Sequence, residues 1–422
     1  MKFFFPDSQD LVDPSFDFIT ETRSRERLRH RDDQYAHEVF ARAPYDGLLV
    51  SKASVDGSGG ESGRYTLAQR HRLFRAGVRE FFRIGDQSLE TMGDCGAFSY
   101  FREEYPPVGV EEVIDFYNQC QFDYGVSVDH VILGYQPASD ESELAARDVP
   151  DDWKKRQSIT LELANRFLTQ CRKDRCRFTP IGVAQGWSPA SYATSVRRLQ
   201  RMGYTYIGLG GMVPLKNDEI LACLRRIDDV RNVRTRFHLF GVTRCDQITK
   251  FGDYGIVSFD STSPLRQAFK HDRENYYTLS GVYSAIRVPQ VEGNANLQKG
   301  IIAGEVVQEE ARRLEQACLR MLRRYDAKGG SVGSILRTLR EYDEIHDGRK
   351  DRTEDYRQTL QDRPWVRCPC AICKALGIHV VLFRGAERNR RRGFHNVFVT
   401  YQRLHSVHGA RKKLVIKATK TA

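Results

Sequence analysis

A chain of 422 residues is long enough to bury one large core or two ordinary ones. Its 40% hydrophobic content, with 23 Phe and 19 Tyr, excludes general disorder, and no run approaches the roughly twenty apolar residues of a membrane span. Lys and Arg number 66 against 55 Asp and Glu, a formal charge of +11 that favours a polyanionic partner without separating DNA from RNA or a membrane surface.

The opening Met1-Lys2-Phe3-Phe4-Phe5-Pro6 turns polar within a few residues and lacks the apolar core of a secretory signal. Together with ten cysteines, this predicts a cytoplasmic protein whose thiols are free or metal-bound rather than paired in disulfides. Residues 1–45 read as an N-terminal extension carrying a first basic run, Arg23 to Arg31.

From residue 46 short apolar runs alternate with longer amphipathic stretches. Gly47–Ser51, Val128–Leu133, Pro180–Ala184, Tyr206–Leu209, Phe237–Phe240 and Gly255–Phe259 have the texture of buried strands, with helical stretches such as Ser188–Met202 and Lys216–Val230 between them. Repeated βα units imply a parallel sheet covered by helices, either an open doubly wound sheet or a closed barrel. Six or seven units favour an α/β fold of the (β/α)8 TIM-barrel type over residues 46–298.

The Gly57 to Gly63 run has the composition of a phosphate cradle, but no Gly-Lys-Ser/Thr follows, so it predicts a mobile loop. Residues 299–362 read as a helical insertion, with helices from Glu305 to Tyr325 and from Ser331 to Ile345 split by Gly329-Gly330.

Residues 363–422 predict a zinc-binding C-terminal subdomain with a basic tail. Cys368, Cys370 and Cys373 followed by His395 make a tetrahedral Cys3His shell for structural Zn2+, with no open position for a substrate. His379 is a rival fourth ligand. Five arginines lie between Arg384 and Arg392, and five cations between Arg411 and Lys420.

In a βα barrel, reactive groups sit at the C-terminal ends of strands. Asp94, Asp129 and Asp260 fall there, with Gly96, Gly210 and Gly211 nearby. Each acid has a bland reading as a loop or helix cap, and Asp260-Ser-Thr-Ser-Pro264 is an evident N-cap pattern. Several acids beside glycines also suit a flat heterocycle whose ring N–H groups need acceptors.

The ordered series Gly-Asp94-Cys-Gly-Ala-Phe98, Gln185-Gly186, Gly210-Gly211, His238-Leu-Phe240-Gly-Val and Phe259-Asp260-Ser-Thr-Ser-Pro264-Leu-Arg266, closed by the cysteines and His395-Asn396, resembles the tRNA-guanine transglycosylases. The likeness covers residues 47–296 and 364–404. The opening segment and the insertion resemble the bacterial DNA-directed branch, whose members place a 7-deazaguanine in DNA.

The resemblance implies Asp260 as nucleophile at C1′ and Asp94 as general acid/base. It further implies Phe98 and Phe240 as the base sandwich, Asp129, Gln185, Gly210 and Gly211 as readers of the base edge, and Cys368, Cys370, Cys373 and His395 as zinc ligands. Arg266 is the nucleic-acid contact it suggests, and the charge of the zinc segment adds Arg388, Arg390, Arg391 and Arg392 as candidates to line the nucleic-acid groove.

Two departures shape the expected chemistry. Phe269 stands where RNA-directed relatives carry a second arginine, which favours DNA over tRNA. Met212-Val213-Pro214-Leu215-Lys216 lacks the acid that accepts an aminomethyl group, which favours the uncharged nitrile preQ0 (7-cyano-7-deazaguanine) as incoming base. The expectation is therefore a DNA-guanine transglycosylase that flips its target base and works alone or with partners such as an ATPase. Its rivals are the same chemistry on tRNA and a non-catalytic nucleic-acid-binding subunit.

Overall fold

A computed structural model describes residues 1–58, 61–347 and 350–418. Eight parallel strands close into a barrel: β1 (Lys2–Pro6), β2 (Gly47–Ser51), β3 (Glu90–Asp94), β4 (Tyr124–Val126), β5 (Thr179–Ala184), β6 (Tyr206–Leu209), β7 (Arg236–Leu239) and β8 (Ile256–Asp260). Each strand pairs with its neighbour in chain order, and β1 closes the ring by pairing with both β2 and β8.

The Phe3-Phe4-Phe5 triplet is the reason β1 belongs here. All three rings are buried, as a strand covered on both faces demands. Phe4 points into the barrel with Leu49, Met92, Val126, Ile181 and Val183, while Phe3 stacks on Phe259 and Phe5 on Tyr45. Helices such as Leu67–Phe81, Val110–Cys120, Asp151–Lys173, Pro189–Met202 and Asn217–Asp228 follow the strands. Their boundaries are chemical: Thr66 accepts from the Gln69 N–H, and Ser188 accepts from the Ser191 N–H beside Pro189.

One strand differs from its expected position. The ladder of β4 ends at Val126, and residues Val128–Leu133 lack strand pairing, buried as far as Ile132. Their N–H groups turn to side chains instead: His130 donates to Thr160 Oγ1 at 3.0 Å and Ile132 to Gln185 Oε1 at 3.2 Å. Apolar texture reports burial, not pairing, so sequence alone could not separate the two. At Gly57–Gly63, Gly57–Ser58 and Glu61–Ser62 form a short antiparallel hairpin, and the rest of the expected mobile loop, residues 59–60, lies outside the described residues.

Two compact units emerge, and they divide elsewhere than at 45/46, 298/299 and 362/363. Met1–Gln9, Tyr45–Thr262 and Val407–Ala422 form one; Asp10–Pro44 and Ser263–Ser406 form the other. The first barrel strand thus lies within the segment expected to be an extension, and the rest of that segment joins the second unit. In that second unit the helices Gln308–Asp326 and Val332–Asp347 occupy the expected insertion, separated by Gly330. The helix Gly385–Ala418 packs there against Ser263–Lys270 so closely that a Cβ at Gly393 would sit 2.5 Å from Leu265. Among the described residues no helix is long and apolar enough to cross a membrane.

Candidate active site

The barrel gathers its polar groups at one end because each lies at or just after the C-terminal residue of a strand. Asp94 ends β3 and Asp260 ends β8, while Gln185, Gly210 and Phe240 directly follow β5, β6 and β7. Asp129 stands three residues beyond β4. Of the expected residues, the structure therefore brings all three acids, Gln185, both glycines and Phe240 to the same end of the barrel.

Asp94 is anchored by the Gly96 N–H, which donates to Oδ2 at 2.9 Å. Gly96 has φ +91°, and a Cβ there would lie 2.3 Å from that of Ala53, so the turn that delivers this N–H needs glycine. Burial, then repulsion from Asp129 and Asp260, raises Asp94 to about 7, outweighing the Gly96 N–H and the Ser51 hydroxyl. Asp129 is raised to about 6 by burial, moderated by the Gln185 amide and the Cys95 thiol.

A hydrogen-bonded corner surrounds Asp129, which is 5% exposed. Gln185 Nε2 donates to its Oδ2 at 2.7 Å and Cys95 Sγ lies 3.4 Å from its Oδ1, with the Tyr100 hydroxyl 3.2 Å behind the thiol. Because Gln185 Oε1 accepts from Ile132, its amide is orientationally locked. The Gly210 N–H is already given to Ala184 O, which leaves Gly211 as the backbone donor of that pair. Gly211 adopts φ +73°, with a built Cβ only 2.3 Å from Ile132 O.

Phe240 is half-buried against His238, ring centroids 4.6 Å apart, and over Gly208. Phe98 is 62% exposed on the turn Ala97–Ser99 and leans towards Phe101. The two rings do not touch each other, and an aromatic this exposed gains hydrophobic free energy if a flat ligand covers it.

Asp260 is 8% exposed, and two donors converge on its Oδ1: the Gly241 N–H at 2.9 Å and His238 Nε2 at 3.1 Å. His238 is fully buried, and its Nδ1 lies 2.7 Å from Ser258 Oγ, which in turn meets the Tyr206 hydroxyl. Sequence reasoning gave no role to His238, Ser258, Tyr206, Cys95 or Tyr100. A polar residue within an otherwise buried strand, as at His238 and Ser258, was the available signal.

A group of residues that could hold a metal ion belongs to the second unit. Cys368, Cys370, Cys373 and His395 place their donor atoms within 4.8 Å of one another. His395 Nδ1 lies 3.4 Å from Cys370 and Cys373 Sγ and 3.7 Å from Cys368 Sγ. A tetrahedral Zn2+ would separate sulfur and nitrogen ligands by about 3.6 Å, so the group fits such an ion. His395 Nε2 lies 2.8 Å from Tyr277 O, which assigns the proton to Nε2 and keeps the Nδ1 lone pair for metal. Tyr276 stacks on the imidazole at 4.2 Å and reaches Cys373 Sγ at 3.2 Å. His379 stands apart from the cluster beside Arg388 and Phe18, so it is not the fourth donor. Cys370→Ser is expected to remove stoichiometric metal and lower the melting temperature by about 10 °C or more. Metal analysis and a thermal melt check this; full metal retention would reject the assignment.

The arginine run requires a correction. Arg388 is 1% exposed and Arg392 is fully buried, so neither is available to a phosphate. Arg388 donates to Glu21 Oε1 and Phe18 O; Arg392 donates to the carbonyls of Ala268, Val380 and Leu382. Arg391 bonds Asp13 O, and Arg390 lies 3.5 Å from Asp10. Burial pushes Glu21 up, but Arg384, Gln290 and Arg388 outweigh it and hold it at about 2. Arg388 and Arg392 tie the chain together, because a buried guanidinium that bonds carbonyls or a carboxylate is an internal brace, whereas Arg390 and Arg391 are only half-buried. Arg388→Ala is expected to cost about 3 kcal/mol of stability by stranding Glu21, with DNA affinity unchanged. A filter-binding loss at unchanged melting temperature would restore the original reading. Arg266, by contrast, is exposed on its helix. The basic tail from Arg411 to Lys420 lies outside the residues whose side chains are described.

No protein-family model matches the chain. It is 49% identical over 408 residues to a DNA-guanine transglycosylase of Salmonella montevideo, covering 96% of each chain. With acids and Phe240 at the barrel mouth and a Cys3His group in the second unit, that similarity places the chain in the tRNA-guanine transglycosylase superfamily, in its DNA-guanine transglycosylase branch, as an enzyme of the glycosyltransferase class.

Proposed function

We propose that the protein exchanges guanine in DNA for preQ0 by double displacement. The carrying observation is the division of labour between two strand-end acids: Asp94, raised to about 7, is equipped to donate a proton near neutrality, while Asp260 is held by two N–H donors that suit a carboxylate. In the first step Asp260 forms a C1′–O bond as the C1′–N9 bond breaks; the electron pair goes to N9, which takes the Asp94 proton. In the second step ionised Asp94 accepts the N9 proton of the incoming base, N9 attacks C1′, and the Asp260 carboxylate departs.

Asp129 is the acceptor for the ring N–H edge of a guanine-like base, and the Gly211 N–H supplies a donor for its carbonyl. Phe240 forms one face of the base slot and exposed Phe98 the other. An in-line approach of a buried carboxylate to C1′ requires the nucleotide to leave the stack. The loop after Gly211 supports preQ0: Met212 and Leu215 are buried, residues 212–217 carry no acid, and Glu219 beyond them accepts the Lys216 N–H at 2.6 Å. Zn2+ at the Cys3His group would stabilise the second unit, and exposed Arg266 with half-buried Arg390 and Arg391 are the candidates for phosphate contacts.

Radiolabelled preQ0 offered with duplex DNA and with total tRNA in separate tubes tests the reading. Label in DNA that disappears with Asp260→Asn supports it. Label confined to tRNA would move the activity to RNA, and DNA binding without label in either, even with partner proteins added, would indicate a binding subunit.

A further inference from the structure

We propose that His238 is a positioning residue that selects the reacting oxygen of Asp260 and promotes departure of that carboxylate in the second displacement. The inference rests on Asp260 being the nucleophile. Oδ1 of Asp260 receives both the Gly241 N–H at 2.9 Å and His238 Nε2 at 3.1 Å. A carboxylate can only accept, so His238 presents Nε2–H to it. With Oδ1 occupied by two donors, Oδ2 is the oxygen left to form the bond to C1′.

The other ring nitrogen is also engaged: Nδ1 lies 2.7 Å from Ser258 Oγ, which fixes the plane of the ring. Ser258 stands opposite His238 in the β7–β8 register, so the pairing of the strands builds the contact. The Tyr206 hydroxyl meets Ser258 Oγ and closes the chain. The ring cannot turn away: Phe4 meets its edge at 5.9 Å and Phe240 at 4.6 Å, and no part of His238 is exposed.

The consequence differs between the two steps. When Oδ2 is esterified to the sugar, Oδ1 becomes a neutral ester carbonyl, a weaker acceptor than a carboxylate oxygen. His238 and Gly241 therefore bind the free carboxylate more strongly than the ester. They restrain the ester from accumulating and stabilise the negative charge that returns to Asp260 as C1′–Oδ2 breaks and C1′–N9 forms. Removing the His238 donor shifts the balance towards the covalent adduct while slowing overall exchange.

The test uses the full chain with 5′-labelled guanine-containing duplex DNA, under conditions that support base exchange. Reactions are quenched in denaturant, and the DNA–protein adduct is resolved on a denaturing gel beside total exchange. His238→Phe, which keeps a ring but no donor, is expected to lower exchange at least about tenfold, the effect of one hydrogen bond to a charged group. Its steady-state adduct fraction should rise several-fold. His238→Gln, which can still present an N–H, should recover part of the exchange and lower the adduct again. Ser258→Ala, a smaller change, should move both readouts in the same direction as His238→Phe, which guards against a variant that merely misfolds.

Exchange and adduct falling together in His238→Phe and Ser258→Ala, or neither changing, overturns the role of His238. An adduct that persists in Asp260→Asn instead overturns the nucleophile assignment on which it rests.

Discussion

Asp260→Asn is expected to reduce base exchange by at least about a thousandfold, because an amide oxygen is a poor nucleophile and a poorer leaving group than a carboxylate. The motivating geometry is the placement of Asp260 at the end of β8, 8% exposed, with Oδ1 held by Gly241 and His238. The fold should survive, since the Asn carbonyl can still accept the Gly241 N–H. DNA binding should change little, and the covalent adduct should vanish. Single-turnover exchange with a quenched-gel adduct assay separates these effects. Exchange within tenfold of wild type would remove Asp260 from the chemistry.

Asp94→Asn produces the second large effect, of opposite sign in activity and stability. Asp94 is raised from 3.8 to about 7 by burial and by the charges of Asp129 and Asp260. The sign follows from linkage: between about pH 4 and 7 the folded chain binds a proton that the unfolded chain has lost. Stability therefore falls as pH rises through that window, and above it the folded site holds an unfavourable charge. A shift of this size corresponds to roughly 4 kcal/mol, discounted to about 2 kcal/mol because Asp94 keeps some solvent contact.

Asp94→Asn should thus raise the melting temperature at pH 8 and have little effect at pH 4. Base exchange should fall by about a hundredfold or more with loss of the proton carrier. In the wild type, the first displacement needs the protonated acid, so its rate should decline above about pH 7. Pre-steady-state rates from pH 5.5 to 9 check this limb, and a flat profile above pH 7 would show that Asp94 does not deliver the proton. These outcomes separate the pair: Asp260→Asn removes the adduct, whereas Asp94→Asn slows its formation.

The βα repetition was legible because barrel strands covered on both faces need continuous apolar runs, and the runs at Gly47–Ser51 and Tyr206–Leu209 coincide with β2 and β6. The acids at strand ends and the Cys3His spacing were equally visible, since each is a local pattern of residue types. The first strand was missed because Phe3-Phe4-Phe5 lies some forty residues before β2 and closes the barrel only through pairing with β8. Val128–Leu133 misled for the complementary reason, being mostly buried without a ladder.

Charge was the least reliable guide. Arg384, Arg388 and Arg392 look like a phosphate-binding run, yet they are buried on Glu21, Glu315 and backbone carbonyls. Their partners are up to several hundred residues distant, so no local reading could have paired them. The chain by itself determined its barrel class, its strand-end acids and its metal donors, all of which depend on residue type and spacing. Only the tertiary structure decided that His238 and Gly241 share one oxygen of Asp260, that Asp94 is lifted by burial and then by two neighbouring carboxylates, and which arginines are braces. Hydrogen bonds, repulsion and burial act over a few ångströms in space, a distance that sequence separation does not encode.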